Sequence, residues 1–136
     1  MKKLNNKGFT LVEIVIVIVI IAILAAMLVP SLTAWIDKSK TKTFTSACGT
    51  IKTAVWSQAA EKYAVDGTAP SLDQLDTDDL KAAVGKPVAK SGSAPSGGYL
   101  IKEFSYSTGK IVITDNTFTG TWSGESATSW NVTKSK

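Results

Sequence analysis

An uninterrupted apolar segment near the N-terminus constrains this chain more than any other feature. It runs from Phe9 to Val29 and reads FTLVEIVIVIVIIAILAAMLV. As a helix rising ~1.5 Å per residue, the segment would extend for about 31 Å, which matches a hydrocarbon core about 30 Å thick. Isoleucine and valine favour strands in water, but a bilayer requires every backbone polar group to be satisfied within its own segment. The segment is therefore predicted to be a transmembrane helix.

The residues on either side of this segment indicate its orientation and its processing. Lys2, Lys3 and Lys7 precede it, so the positive-inside bias places the N-terminus in the cytoplasm and the rest of the chain outside. The alanines near its end do not form the A-x-A pattern that ordinary signal cleavage needs. The segment is thus either an uncleaved anchor or part of a chain that is cut before the apolar run.

Composition and charge weaken several other functional classes. The chain has no histidine and a single cysteine, which removes the commonest general base and the usual zinc ligands. No catalytic residue, cofactor or metal ion is therefore expected. The aspartates between residues 73 and 79 lack the spacing of a calcium-binding loop. The net charge of +4 owes three lysines to the first seven residues, so it gives little support for nucleic-acid binding.

Glu13 is the one acidic residue inside the apolar segment. Near the end of a span a carboxylate costs less than at the bilayer centre, and the dipole of the first helical turn favours it. On one interpretation Glu13 simply stays hydrated at the membrane interface. On the other it pairs with a cation, because a cut between Gly8 and Phe9 would create an α-amine four residues before it.

The residues around Glu13 carry a resemblance to a known family. Lys7 to Glu13 read KGFTLVE and resemble the processing motif of type IV prepilins and pseudopilins, with a small residue before the cut and an aromatic residue after it. Residues 1–8 resemble the short basic leader. The resemblance implies that a prepilin peptidase cuts between Gly8 and Phe9 and methylates the new amine of Phe9. It also implies that Glu13 pairs with the Phe9 amine of an adjacent subunit and sets the axial register of a filament.

The function that this resemblance implies is structural. The chain would be a homo-oligomeric subunit of a type IV pilus, a single-pass membrane precursor that an assembly ATPase and a platform membrane protein extrude into an extracellular pilus. It would not be an enzyme. Two alternatives stay open: a pseudopilin of a type II secretion or competence system, and a monomeric membrane-anchored binding module. Cys48 alone cannot form the disulfide common in Gram-negative major pilins, which favours a Gram-positive source.

The rest of the sequence predicts a pilin-like α+β fold with a long N-terminal helix packed on a small antiparallel β-sheet. Pro30 is expected to kink the helix rather than end it, because helical periodicity resumes beyond it. The second half of the helix is amphipathic and should end near Asp66 and Gly67. Its apolar stripe, in which Cys48 is a core residue rather than a nucleophile, consists of Phe44, Cys48, Ile51, Val55, Ala59 and Tyr63.

Changes in composition and periodicity divide the chain into successive segments. Residues 1–8 are the leader, 9–36 the transmembrane and assembly helix, 37–66 its amphipathic continuation, 67–98 an αβ-loop, and 99–136 an antiparallel β-meander with the C-terminal region. Within the loop, a short helix is predicted over Asp76–Val84, capped by Asp76 or Thr77. The period of two predicts strands over Tyr99–Ser107, Lys110–Thr114, Thr117–Ser123 and Trp130–Thr133.

Overall fold

The computed structural model describes residues 8–124 and 127–135. The basic leader up to Lys7 therefore lies outside the described residues. The chain divides into two compact units, residues 1–39 and 40–136. The first contains the N-terminal part of helix α1, and the second contains a five-stranded sheet, a short helix and the C-terminal part of α1. The arrangement is α+β, as the sequence predicts.

Helix α1 extends over Leu11–Asp66 and includes Pro30. The helix does not end at this proline, although the missing N–H leaves the carbonyl of Ala26 without its usual helical donor. The Thr33 hydroxyl donates a hydrogen bond to the Pro30 carbonyl at 3.0 Å. At the C-terminus, Gly67 adopts a left-handed conformation with φ 67°, and its N–H donates to Tyr63 O at 2.9 Å. A glycine cap of this kind ends a helix without the steric cost of a side chain.

The second unit is built around one stripe of α1. This stripe packs against the sheet through the buried side chains of Phe44, Cys48, Ile51, Val55 and Ala59. Cys48 is thus a core residue, as predicted. The expectation for Tyr63 is wrong, because its side chain is 47% exposed. It lies one turn beyond Ala59 and stacks on Tyr106, which follows the end of a strand, with ring centroids 5.6 Å apart.

The sheet has the order β1-β2-β3-β4-β5. Its strands are β1 Val88–Ala89, β2 Tyr99–Ser105, β3 Lys110–Thr114, β4 Phe118–Ser123 and β5 Asn131–Lys134. The last four form the predicted antiparallel meander. The prediction of a purely antiparallel sheet is wrong, because β1 pairs with β2 in parallel, with Val88 opposite Tyr99.

A bulge in β2 keeps both halves of that strand facing α1. Ile101 pairs with Ile113 and Glu103 with Val112, so Lys102 is an extra residue on one side of the ladder. Such an insertion shifts the inward-facing positions by one. Ile101 lies in the core before the bulge, and Phe104 packs edge-on against Trp56 of α1 after it, with ring centroids 5.2 Å apart.

The connection between α1 and β2 is held to the helix by polar contacts. Helix α2 spans Thr77–Val84, and Asp76 caps it by accepting a hydrogen bond from the Asp78 N–H at 2.8 Å. The side-chain amide of Gln58 on α1 brackets the Asp76 backbone, accepting from its N–H at 2.8 Å and donating to its carbonyl at 3.1 Å. The Lys90 ammonium donates to the carbonyls of Asp73 and Leu75 at 2.9 and 2.7 Å. These contacts fix the start of α2.

Alanine substitutions at two glycines of this unit are expected to change the free energy of unfolding in opposite directions. A Cβ on Gly120 would lie 3.1 Å from a Phe44 ring carbon and 3.2 Å from both Cys48 Sγ and a Trp130 ring carbon. Gly120→Ala should therefore lower the free energy of unfolding by about 1–3 kcal/mol through overpacking. A Cβ on Gly49, inside α1, would meet nothing within 4 Å. Gly49→Ala should raise the free energy of unfolding by up to ~1 kcal/mol through helix propensity.

Urea unfolding of the full chain in detergent, followed by tryptophan fluorescence, measures both changes. The two variants control for each other, because each adds one methyl group to a glycine of the same unit. Unchanged stability in Gly120→Ala would mean that the core between α1 and β4 yields to the added carbon.

Candidate functional site

The predicted cleavage site lies in exposed, non-helical chain. Gly8, Phe9 and Thr10 precede α1, which begins at Leu11, and the Phe9 side chain is 82% exposed. A Cβ added to Gly8 would meet nothing within 4 Å. The peptide bond between Gly8 and Phe9 therefore requires no unwinding of α1 before a peptidase can bind it.

Thr10 and Glu13 close the N-terminus of α1 by reciprocal hydrogen bonds. The backbone N–H and the hydroxyl of Thr10 donate to Glu13 Oε2 at 2.9 and 2.8 Å. In return, the Glu13 N–H donates to Thr10 Oγ1 at 3.3 Å. This pattern is a capping box, in which the residue before the helix and the third helical residue satisfy each other's backbone donors.

The capping box assigns Thr10 a role that the sequence analysis missed. The pattern Thr-x-x-Glu before an apolar run is a known N-terminal helix pattern and was present in the sequence at Thr10-Leu11-Val12-Glu13. Both donors from Thr10 contact Oε2, so Oε1 of Glu13 is left for a further donor. The predicted cleavage site and the free Oε1 of Glu13 thus lie within five residues of each other, whereas Pro30 lies about 25 Å further along α1.

The side chains that follow Glu13 form an apolar surface that the described chain does not cover. From Leu11 to Val29, the large hydrophobic side chains are each 46–79% exposed. Helix α1 is long and apolar enough to cross a membrane. Exposed apolar surface of this extent is stable only against lipid or against other apolar protein surface.

Comparison with known proteins bears on this same segment. Residues 3–29 match the family model of the prokaryotic N-terminal methylation motif. The chain carries the N-terminal motif of type IV pilins and pseudopilins. The match confirms the resemblance seen in KGFTLVE and fits a membrane-anchored precursor of prepilin type. No curated protein and no solved structure matches the chain.

Among residues 8–124 and 127–135, no group of three or more His, Cys, Asp or Glu side chains lies close enough to hold a metal ion. Asp76 and Asp78 belong to the cap of α2. The pilin-type motif points to a structural protein rather than to an enzyme.

Cys48 is expected to be inert in the folded chain. Burial in the core, reinforced by the negative charge of Asp115, raises the pKa of the Cys48 thiol to about 12. The thiolate fraction at pH 8 is then on the order of 10⁻⁴, and the thiolate is the form that reacts. A thiol reagent such as iodoacetamide should therefore modify the native chain far more slowly than the urea-unfolded chain, in which the thiol is accessible and ionises near pH 9.

The same pKa shift predicts the direction of alkaline destabilisation. Because the unfolded thiol ionises near pH 9 and the folded thiol near pH 12, the contribution of Cys48 to stability is complete below pH 9 and declines as the pH rises through this range. Cys48→Ala should remove this part of the pH dependence. Equal labelling rates for native and unfolded chains at pH 8 would contradict the burial of the thiol.

Proposed function

We propose that this chain is the structural subunit of a type IV pilus filament. The observation that carries the proposal is the uncovered apolar surface of α1, which begins directly after the exposed residues Gly8 to Thr10 and contains the capping-box residue Glu13. One helix of this kind has two suitable environments, the lipid bilayer before assembly and the apolar helices of other subunits afterwards. Exchange between them conserves the apolar contacts of the helix.

Processing would prepare the helix for this exchange. A prepilin peptidase would hydrolyse the peptide bond between Gly8 and Phe9, release residues 1–8 and leave an α-amine on Phe9 for methylation. This amine is a new cation at the end of the apolar segment, close to the only carboxylate within it. The remaining negative charge of Glu13 would then have a partner in an adjacent subunit.

The geometry around Glu13 supports such a pairing. Thr10 occupies only Oε2, so Oε1 can accept from the Phe9 amine of a neighbour without breaking the capping box. Inside a filament an unpaired carboxylate would cost several kcal/mol, which only a correctly spaced neighbour would relieve. Glu13 would thereby set the axial register of the filament, and Pro30 would kink the helix further along it.

The partners and locations follow from this sequence of events. The precursor would cross the cytoplasmic membrane once, and an assembly ATPase with a platform membrane protein would move the cut subunit into an extracellular filament. The described unit 40–136, whose single buried cysteine forms no disulfide, would coat the filament. The absence of a disulfide is the feature that favours a Gram-positive source.

N-terminal sequencing of sheared surface filaments tests the proposal directly. A chain that begins at methylated Phe9 and forms the bulk of the filaments supports a pilus subunit. A cut chain that stays with the cells and is absent from sheared filaments would replace this proposal with a secretion or competence pseudopilin. A chain that begins at Met1 and remains a membrane monomer would support an anchored binding module instead.

A further inference from the structure

A cluster of large apolar side chains continues along α1 beyond Pro30. Leu32, Trp35 and Ile36 lie three and four residues apart, on one face of the helix, and are 57%, 66% and 39% exposed. Within the described ranges 8–124 and 127–135, the Trp35 ring has no aromatic or cationic partner and its indole N–H has no acceptor. The ring and the indole N–H of Trp35 are therefore both open to the surroundings of the chain.

The position of Trp35 along α1 indicates what those surroundings are. Leu11 and Trp35 are 24 residues apart, which is about 36 Å along a helix axis. A bilayer has a hydrocarbon core about 30 Å thick, or about 40–45 Å with its headgroup layers. With Leu11 at the inner edge of the hydrocarbon core, Trp35 lies just beyond its outer edge, within the headgroups.

The chemistry of the cluster fits the same location. Tryptophan concentrates at membrane interfaces, where the ring contacts acyl chains and the indole N–H binds polar groups. Lys38, three residues further on and exposed, can lay its apolar stem along the helix and direct its ammonium group to lipid phosphates. From this point the sequence turns polar, with Asp37 and Lys38 ending the apolar surface.

We infer that Trp35 anchors the membrane-bound precursor in the outer headgroup layer, with Leu32 at the acyl-chain boundary, Ile36 beside Trp35 and Lys38 at the lipid phosphates. The inference rests on the proposed membrane stage and adds a second fixed point to α1. Such an anchor would hold Glu13, about 33 Å from Trp35 along the axis, near the inner boundary. The cut site would then stay on the cytoplasmic side, within reach of a peptidase.

A second copy of the chain is a less suitable partner for Trp35. Between Ile14 and Val29 the apolar segment has no polar side chain. A neighbouring helix packed on Trp35 through that surface would leave the indole N–H buried without an acceptor, at a cost of about 1–3 kcal/mol. Lipid headgroups, by contrast, supply phosphate and ester oxygens.

Depth-dependent fluorescence quenching of the full chain tests the anchor. The chain is reconstituted at high lipid excess into phosphatidylglycerol–phosphatidylcholine vesicles that carry either a headgroup nitroxide or mid-chain bromine. The emission lost in Trp35→Phe, compared with wild type, reports Trp35 separately from the other three tryptophans. The matched control is Trp130→Phe, which removes a tryptophan from the second unit.

The expected result is that the Trp35 emission falls at least about twofold with the headgroup quencher and less with mid-chain bromine, while Trp130→Phe retains this quenched component. Lys38→Glu should weaken the headgroup quenching in anionic vesicles but not in pure phosphatidylcholine; equal quenching would remove Lys38 from the anchor. Stronger quenching by mid-chain bromine would place Trp35 too deep and overturn the inference.

An alkaline carbonate wash separates the remaining outcomes. If neither quencher acts although the chain resists the wash, Trp35 packs against protein, and the anchor is refuted while the membrane stage stands. If the chain washes off the vesicles, the proposed membrane stage fails and the anchor fails with it.

Discussion

Glu13→Gln is expected to reduce the yield of assembled filaments at least about tenfold. The substitution leaves the Phe9 amine of the adjacent subunit without its carboxylate partner, and an unpaired charge at the filament centre costs several kcal/mol. Glutamine at this position can still accept the hydrogen bond from the Thr10 N–H, so the capping box of α1 survives the change. The substitution thus removes the negative charge that would pair with the Phe9 amine and little else. Filament yield from sheared cells, with cleavage after Gly8 checked by mass spectrometry, measures the effect.

Thr10→Ala is the matched control for Glu13→Gln. It removes the hydroxyl that accepts from the Glu13 N–H and keeps the charge of Glu13. Loss of an N-cap side chain costs about 0.5–2 kcal/mol of helix stability, so assembly should decline less than in Glu13→Gln. Wild-type assembly by Glu13→Gln together with failure of Thr10→Ala would assign Glu13 to helix capping and refute its role in register.

Gly8→Val is expected to block processing almost completely. A pocket built for a residue without a side chain can reject added carbons, and each methylene group can change the rate at least ~10-fold. The chain itself has open space around Gly8, so a loss of cleavage would reflect recognition by the peptidase and not a disturbance of α1. The precursor should keep Met1, remain in the membrane fraction and yield no filaments.

Gly8→Ala provides a graded control for this prediction. Its single methyl group should slow cleavage less than valine does, so processed and unprocessed chains should coexist in the same cells. Immunoblotting of membrane and sheared fractions resolves the two forms by the mass of residues 1–8. Filaments built from uncut Gly8→Val chains would refute the requirement for cleavage.

Structural features that rest on a pattern repeated over many residues could be predicted from the sequence. The apolar run predicted the long N-terminal helix whose side chains are exposed. The spacing of three and four residues between Phe44, Cys48, Ile51 and Val55 predicted which face of α1 is buried. The period of two after Gly98 predicted the four strands of the meander to within two residues at each end. In each case many residues repeat one physical preference, so the pattern is stronger than local exceptions.

Features that depend on a few residues or on tertiary context were missed. Strand β1 has two residues and follows Pro87, so it has no periodicity to detect, and its parallel pairing with β2 depends on the path of the loop. Tyr63 continues the apolar stripe in sequence, but the sheet ends before reaching it. Thr10 fits the Thr-x-x-Glu pattern, but its role as the cap of α1 depends on a few local hydrogen bonds with Glu13 and on no repeated pattern.

The second unit has a buried free thiol at Cys48 and no disulfide, and this affects the redox conditions under which it stays folded. Many small extracellular domains depend on covalent cross-links, which a reducing environment opens. Here the core is held by packed side chains without a disulfide, and the single thiol is shielded by aromatic and aliphatic neighbours. The domain would therefore keep its fold in oxygen-free, thiol-rich surroundings as well as in air.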